Sequence, residues 1–286
     1  MNDPIVSIII PSRNEPYLNK TVNDILSKAK GFVETILVLD GYWPEPAYLT
    51  NQSKITIIHT GTARGMRAAI NSGVAIAKGE YVLKCDAHCM FDEGFDTKLV
   101  SDCDRNWIVV PRRKRLDAER WCIQDVGKPD VDYMYLSYPH TLDRNGKQIG
   151  LHGVNWDELN KREDLKNKAV DDLMSAQGSC WFMHKDYYNE LELLDEEHYG
   201  AFWSEFQEIG LKCWLSGGRV VVNKNTWYAH LHKRNRGYTL IDTSEDTQQY
   251  VMKWMNMGEA WSKQTLPLDY LIHKFSPVPG WPNELP

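Results

Sequence analysis

The 286-residue sequence has no stretch of about eighteen consecutive apolar residues, and no basic segment followed by an apolar one near its N-terminus. These absences argue against a membrane-spanning helix and against a secretion signal. Its six cysteines form no C-x-x-C pair, which disfavours both a zinc site and a disulfide framework and favours a reducing compartment. We therefore expect a cytoplasmic protein without a membrane anchor, and nothing in the sequence points to an obligatory protein partner.

An excess of positive charge is also missing. The formal net charge is -6, so the protein is not basic all over, and any contact with a nucleic acid would have to use a local patch. We find no internal repeat, which argues against a solenoid or propeller. With 42% hydrophobic and 25% charged residues, the composition is that of an ordinary globular protein, and the length allows one large α/β domain or two smaller ones.

Short apolar runs that end at an acid or a proline dominate the first hundred residues. Residues 6–11, 35–41, 54–59 and 79–86 have the β-branched and apolar content of buried strands, and residues 17–30 and 64–77 have helical spacing. Strands that alternate with helices predict an α/β fold with a mostly parallel, doubly wound, Rossmann-like sheet. Such sheets bind ligands at the carboxyl ends of their strands, where Asp40 and Asp86 are expected.

The segment Asp86-Ala87-His88 is the first candidate site. Residues i and i+2 of an extended chain project to the same side, so the carboxylate and the imidazole can converge just beyond the strand. One oxygen and one neutral imidazole suit a borderline divalent ion such as manganese. An ordinary strand-end turn explains the same spacing, and the spacing alone does not decide between the two.

Residues 106–172 show little periodicity and read as long loops. Pro111 is followed there by four basic residues, Arg112 to Arg115. This cluster is either a solvated loop or a patch that faces an anion such as a phosphate or a nucleic-acid backbone.

Several motifs together resemble a known family. They are the run from Ser7 to Glu15, Val38-Leu39-Asp40-Gly41, the segment 64–79, Asp86-Ala87-His88-Cys89, and in the second half the segments 177–188 and 205–218. The sequence resembles the GT-A fold glycosyltransferases of family 2 over roughly residues 5–100 and 150–240. Its Asp-x-His form resembles the polypeptide N-acetylgalactosaminyltransferases more than the commoner Asp-x-Asp enzymes.

The resemblance implies roles for individual residues. His230, twelve residues after Gly218, would be a third ligand beside Asp86 and His88 for Mn²⁺ or Mg²⁺, although a strand-end histidine with ordinary hydrogen bonds is the alternative. The implied donor-binding residues are Pro11, Arg13, Glu15, Asp40, Arg64, Arg67, Asp86, Ala87, Gly178, Trp203 and Tyr238. The implied catalytic residues are Glu205, Glu208, Lys233 and Arg236, and the implied acceptor-side residues are Arg112, Arg113, Arg115 and Trp156. For the two glutamates, ordinary charge near a helix terminus is the alternative.

The resemblance also implies a domain organisation. Residues 1–240 would form a single GT-A catalytic domain, with a nucleotide-sugar half at 1–105 and an acceptor and catalytic half at 106–240 that contains acceptor-side loops. Residues 241–286 lie outside the resemblance, and their own sequence predicts a C-terminal helix, over about 246–261, and an extended tail that wraps on the domain.

The expected activity is metal-dependent transfer of a hexose from a UDP-sugar to an acceptor hydroxyl, with retention of configuration. Inversion with Glu205 as the general base is the alternative. Where the family has Trp-Gly-Gly-Glu-Asn, this sequence has residues 202–206 as Phe-Trp-Ser-Glu-Phe, so UDP-glucose or UDP-galactose is as good a candidate donor as one with an N-acetyl group. The basic cluster favours a hydroxymethylated DNA base as the acceptor over a protein or a glycan. A non-catalytic module that binds a sugar nucleotide is a further alternative.

Overall fold

The structure is a computed structural model that describes residues 5–43, 53–142, 145–146, 148–233, 238–239 and 244–282. Its strands are β1 (Val6–Ser12), β2 (Val33–Asp40), β3 (Ile55–Thr60), β4 (Tyr81–Cys85), β5 (Cys89–Phe91), β6 (Trp107–Asp117), β7 (Cys122–Ile123), β8 (Met134–Leu136), β9 (Gly153–Asn155), β10 (Val170–Asp172), β11 (Cys180–His184) and β12 (Arg219–His230). Its helices are α1 (Leu18–Lys28), α2 (Met66–Ile76), α3 (Phe95–Ser101), α4 (Asp157–Asn160), α5 (Glu163–Lys166), α6 (Lys185–Glu190), α7 (Glu196–Tyr199), α8 (Glu205–Trp214), α9 (Ser244–Met252) and α10 (Leu268–Phe275), with a 3₁₀ turn at Lys253–Met255.

The main sheet has the strand order β10-β12-β6-β11-β4-β1-β2-β3. Strands β4, β1, β2 and β3 are parallel, as are β6 and β12, whereas β11 runs antiparallel to both β4 and β6. The predicted α/β class is confirmed, and the sheet is mixed because β11 separates its two parallel parts.

Burial on both faces explains why β1 is a continuous apolar run. Ile9 belongs to a core cluster on one face of the sheet, and Ile8 and Ile10 belong to a cluster on the other, all with no exposed surface. Helix α2 covers the first face closely, because a Cβ atom at Gly73 would lie 2.5 Å from the side chain of Ile9. Glycine is therefore required where this helix meets the strand.

The prediction of loops after residue 106 is wrong for β6, which pairs in parallel with β12 near the middle of the sheet. Its first residues form a buried apolar run that includes Ile108 and Val109. Pro111 is tolerated there because it lies opposite Asn223, where the register of β12 shifts, and proline in sheets is found mainly at edges and at such irregularities.

The tail also differs from the prediction. Helix α9 ends at Met252, earlier than expected, and helix α10 stands where an extended chain was predicted. Leu268, Leu271 and Ile272 have helical spacing and are buried, so packing explains α10. Trp254 and Leu271 belong to the same core cluster as the sheet, which shows that the tail packs against it, while a domain boundary at residue 240 stays a prediction. Among the described residues, no helix is both long and apolar enough to cross a membrane.

Candidate active site

A pocket of about 280 Å³ opens at the carboxyl ends of β1, β2 and β4. Its lining residues are Pro11, Ser12, Arg13, Glu15, Asp40, Gly65, Met66, Ala69, Asp86, Ala87, His88, Gln177, Ala201, Phe202, His230, Leu231, His232, Lys233 and Tyr238. Many residues that the sequence indicated as donor-binding or metal-binding thus lie around one cavity, at the sheet edge where a ligand was expected.

Asp86, His88 and His230 come together at this pocket. His230 ends β12, which pairs antiparallel with β5, so that His230 lies opposite Cys89 and next to His88. Nε2 of His230 lies 3.1 Å from Oδ2 of Asp86, and Nε2 of His88 lies 4.0 Å from the same oxygen. One ligand atom from each residue can be chosen so that all three lie within 4.8 Å of one another.

The protonation states of this cluster suit a metal. Burial lowers the pKa of His230 to about 4, so its imidazole is neutral at pH 7. Burial would raise the pKa of Asp86, but the charge of Lys84 and the hydrogen bond from His230 hold it well below its usual value. An ionised carboxylate and two imidazoles form a donor set that fits Mn²⁺, whereas Mg²⁺ prefers oxygen alone.

Glu15 contacts His88, the second candidate ligand. Its Oε2 lies 2.8 Å from Nδ1 of His88, which leaves Nε2 of that ring free for a metal. A carboxylate behind a histidine ligand is a common feature of protein metal sites. Glu15 also forms an ion pair with Lys233. Although burial opposes it, contact with His88 and Lys233 lowers the pKa of Glu15.

Lys84 lies beneath the cluster, fully buried within β4. Its ammonium nitrogen is 2.8 Å from Oδ1 of Asp86, 3.1 Å from Oε1 of Glu205 and 2.6 Å from the carbonyl oxygen of Gly178. Burial would lower the pKa of Lys84, but the two carboxylates raise it above its ordinary value, so the charge is retained. We assigned no role to Lys84 from the sequence, although a lysine inside an apolar strand, two residues before an aspartate, is a visible signal.

Glu205 does not line the pocket. The residue is 8% exposed, and its carboxylate accepts a hydrogen bond of 2.8 Å from Trp181 Nε1 as well as its contact with Lys84. Burial raises the pKa of Glu205. Gly178 was predicted to contact the donor, but it packs against Glu205 instead. A Cβ atom at residue 178 would lie 2.3 Å from Oε2 of Glu205.

Arg67 and Glu208 form an ion pair whose side chains have no exposed surface. Glu208 also accepts hydrogen bonds from Lys212 at 2.7 Å and from the backbone of Asp195 at 3.0 Å. Arg67 donates to the carbonyl oxygen of Trp203 at 2.7 Å. The direct donor and catalytic contacts expected of Arg67 and Glu208 therefore do not fit this structure, in which the pair supports the segment before α8.

The remaining donor-side predictions divide between the pocket and the surface. Asp40 lines the pocket and accepts hydrogen bonds from the backbone N–H groups of Arg64 at 2.7 Å and Gly65 at 2.9 Å. The side chain of Arg64 is exposed and lies 3.5 Å from Glu196, away from the lining. Arg13 stacks on the ring of Tyr238 at 4.7 Å. The predicted catalytic Arg236 lies outside the described residues.

The predicted acceptor patch does not form one open surface. Arg112 is bonded to the carboxylate of Asp132, so its charge is already balanced. Trp156 is buried against Tyr135. Arg113 is buried as well, on the opposite face of β6 from Arg112. The prediction of a shared patch is therefore wrong for Arg112 and Trp156, because both contribute to the protein's own packing.

Sequence reasoning also missed Phe202, Gln177 and His232 as lining residues. Each stands next to a residue or motif that we did identify, so proximity in the chain was the only available signal.

The model of the family "Glycosyl transferase family 2" matches residues 7–192. The chain belongs to glycosyl transferase family 2. The family that the motifs indicated is thereby confirmed.

Curated relatives include putative polypeptide N-acetylgalactosaminyltransferase 13 of Drosophila melanogaster, 24% identical over 268 residues, which are 84% of this chain and 44% of the relative. Glycosyltransferase GlyG of Streptococcus pneumoniae serotype 4 is 29% identical over 248 residues, 82% of this chain and 72% of the relative. The family 2 chain spans less than half the length of the animal relatives that it matches.

Two solved structures share the fold. GalNAc-T7 with UDP, GalNAc and Mn²⁺ superposes with a TM-score of 0.66 at 19% identity, covering 87% of this chain and 48% of that chain. S. aureus TarS 1-349 in complex with UDP-GlcNAc superposes with a TM-score of 0.53 at 14% identity, covering 87% and 64%. At these identities the likeness shows the fold alone, and it confirms the GT-A fold.

Proposed function

We propose that this family 2 protein is a metal-dependent glycosyltransferase that moves a hexose from a UDP-sugar to an acceptor hydroxyl. The observation that carries the proposal is the convergence of Asp86, His88 and His230 in a pocket at the carboxyl edge of the sheet. Asp40, which would contact the uridine, lines the same pocket.

Asp86, His88 and His230 would hold the cation, with Mn²⁺ favoured by the two imidazoles and Mg²⁺ as the alternative. When bound, the cation would neutralise the charge that develops on the departing diphosphate. Lys233 and Arg236 would add positive charge near that leaving group. Arg13 and Tyr238, which stack on each other, would cover the nucleotide.

The donor would be a UDP-hexose, with UDP-glucose or UDP-galactose as good a candidate as a donor with an N-acetyl group. Phe202 lines the pocket and Trp203 follows it, where the family motif has tryptophan and glycine. Phe202 is smaller than the tryptophan of the motif, and Trp203, which is larger than the glycine, does not line the pocket, so the lining does not distinguish these donors.

Transfer would retain the anomeric configuration. In the inverting alternative, Glu205 would take the proton of the acceptor hydroxyl, so its carboxylate would need to reach the substrate. Its burial beside Lys84 and Trp181 argues against that role and supports retention.

The acceptor would be a hydroxymethylated DNA base, a protein or a glycan. A hydroxymethylated DNA base was suggested by the basic cluster, but Arg112 is already paired with Asp132. A DNA acceptor, a protein and a glycan should therefore be tested side by side. The cytoplasmic location likewise stays a prediction.

Incubation of the purified protein with Mn²⁺ and a panel of UDP-sugars, with and without hydroxymethylated oligonucleotides, peptides or oligosaccharides, tests the proposal. Release of UDP and the mass of the product would be measured. We expect turnover with a UDP-hexose that is lost in His230→Gln and kept in His184→Gln, a matched substitution at the end of β11, outside the pocket lining. UDP-sugar binding without turnover across the panel would favour the non-catalytic module.

A further inference from the structure

The basic run of β6 is divided between the two faces of the sheet, because side chains alternate along a strand. On one face, the two basic side chains are bonded to aspartates: Arg112 Nη2 lies 2.8 Å from Asp132, and Lys114 Nζ lies 3.2 Å from Asp130. Their charges are balanced within the protein.

On the other face, Arg113 and Arg115 form no ion pair with any acid among the described residues. Arg115 donates to the carbonyl oxygen of Pro129 at 2.9 Å. Within the described residues, the same strand therefore carries two cations paired with acids on one side and two cations without an acidic partner on the other.

Arg113 is the more unusual of the two, since it is only 6% exposed. Its guanidinium donates to the side-chain oxygen of Gln177 and, at 3.4 Å, to that of Asn155, both of which are neutral. A buried cation without a counter-charge is costly, and burial lowers the pKa of Arg113 accordingly. An anion bound close by would offset this cost.

Gln177 connects this charge with the pocket, which it lines. A guanidinium only donates hydrogen bonds, so the amide oxygen of Gln177 must face Arg113. The amide NH₂ group is then left as the donor for a ligand. Arg113 thus orients Gln177 as well as supplying charge.

His232 lines the pocket, and the centroid of its ring lies 5.5 Å from that of His230. Arg115 is also paired in register with His230, which is one of the three candidate metal ligands.

These groups lie on one side of the pocket. Strands β6 and β12 precede β4 in the strand order, and β2, which ends at Asp40, follows it. The nucleotide is expected at Asp40 and its diphosphate at Asp86, His88 and His230. Arg113 and Arg115 therefore lie on the side of the pocket that is left for the acceptor.

We infer that Arg113, Arg115, Gln177 and His232 form a subsite for an anionic group of the acceptor, so that the compound that receives the sugar carries a phosphate or a carboxylate near its hydroxyl. The inference rests on the proposed function, because it takes the donor to fill the other side of the pocket.

Calorimetry on the protein saturated with Mn²⁺ and UDP tests the subsite. The probes are glycerol 3-phosphate and glycerate, with uncharged glycerol as the reference. We expect at least one anion to bind and glycerol not to, and the stronger anion identifies the group recognised. Arg115→Gln and His232→Gln should each weaken that binding about tenfold, the effect of losing one charge-assisted hydrogen bond.

Lys114→Gln is the matched control, because it removes one positive charge from the same strand on the opposite face. It should leave binding of the anion unchanged. Arg113 is not substituted, because its side chain is buried and its loss could unfold the protein. Arg115→Lys keeps the positive charge and should recover part of the affinity for the anion that Arg115→Gln loses.

The inference is overturned if neither anion binds better than glycerol, or if Lys114→Gln weakens binding as much as Arg115→Gln. It is also overturned if Arg115→Gln weakens the binding of UDP by the same factor as the binding of the anion, since the positive charges would then serve the donor. Binding of UDP with Mn²⁺ to the unaltered protein is measured first: its absence counts against the proposed function, whereas the subsite can fail with UDP binding intact.

Discussion

Lys84 lies in β4 and Asp86 directly follows that strand, and the two oxygens of the Asp86 carboxylate have different partners. The ammonium of Lys84 holds Oδ1 at 2.8 Å, and Oδ2 faces His230 at 3.1 Å. Lys84 therefore holds Oδ1, and Oδ2 is the oxygen that would bind a metal ion.

Replacing Lys84 with methionine should strongly destabilise the protein. Asp86 and Glu205 would lose their shared counter-charge, and removing one partner of a buried ion pair typically costs about 3–5 kcal/mol. The free energy of unfolding in urea measures the effect, with Lys185→Met as the control, since the ammonium of Lys185 donates only to the carbonyl oxygen of Ala77 among the described residues.

The double variant Lys84→Met with Glu205→Gln should recover part of the lost stability, because it removes one of the two uncompensated carboxylates. A Lys84→Met protein within about 1 kcal/mol of the unaltered one would contradict this account, since an exposed ion pair is worth no more than that.

Glu15 should control the affinity for the metal without being a ligand. Glu15→Gln removes the charge that faces Nδ1 of His88, and changes of such outer partners typically weaken metal binding about 10–100-fold. Titration of Mn²⁺ followed by electron paramagnetic resonance measures the dissociation constant. Glu34→Gln, which lies outside the pocket lining and contacts Ser7 and the backbone of Lys78, should leave it unchanged. Equal affinity in the Glu15 and Glu34 variants would count against the role of Glu15.

Two arginines on either side of the start of α2 provide a contrast between buried and exposed charge. Arg67→Met should cost about 3–5 kcal/mol, because it leaves Glu208 buried beside Lys212 alone. Arg64→Met should cost less than about 1 kcal/mol, because Arg64 is exposed and lies 3.5 Å from Glu196. Denaturant unfolding of both variants measures the difference. Similar losses would show that the buried pair is not what stabilises this region.

The sequence was most informative where local pattern decides structure. The runs that became β1, β2 and β4 are largely apolar, and an aspartate ends β2 and follows β4, so Asp40 and Asp86 could be placed at the sheet edge. His230 could be placed only through the resemblance to a family, since 142 residues separate it from His88.

Charged residues whose environment is set by distant partners could not be predicted. The basic residues 112–115 made the central strand β6 look like a loop. Arg112 and Lys114 are balanced by Asp132 and Asp130, and hydrophobic periodicity does not reveal such pairs. Arg67 and Glu208 were predicted to be functional because the sequence does not show that they are each other's partners. Their burial follows from a contact between residues 141 apart in the chain.

Substitution of Glu205 distinguishes retention of the anomeric configuration from inversion. If transfer retains configuration, Glu205→Gln should keep the product anomer and lower kcat only modestly, because the amide can still accept the hydrogen bond from Trp181. If Glu205 were the general base of an inverting reaction, the same change should lower kcat by about 10²–10⁴-fold. Proton NMR of the fresh product gives the anomer, and the rate of UDP release gives kcat. An inverted product together with a collapse of kcat in Glu205→Gln would sink the proposal of retention, and it would require the carboxylate to leave Lys84 during turnover.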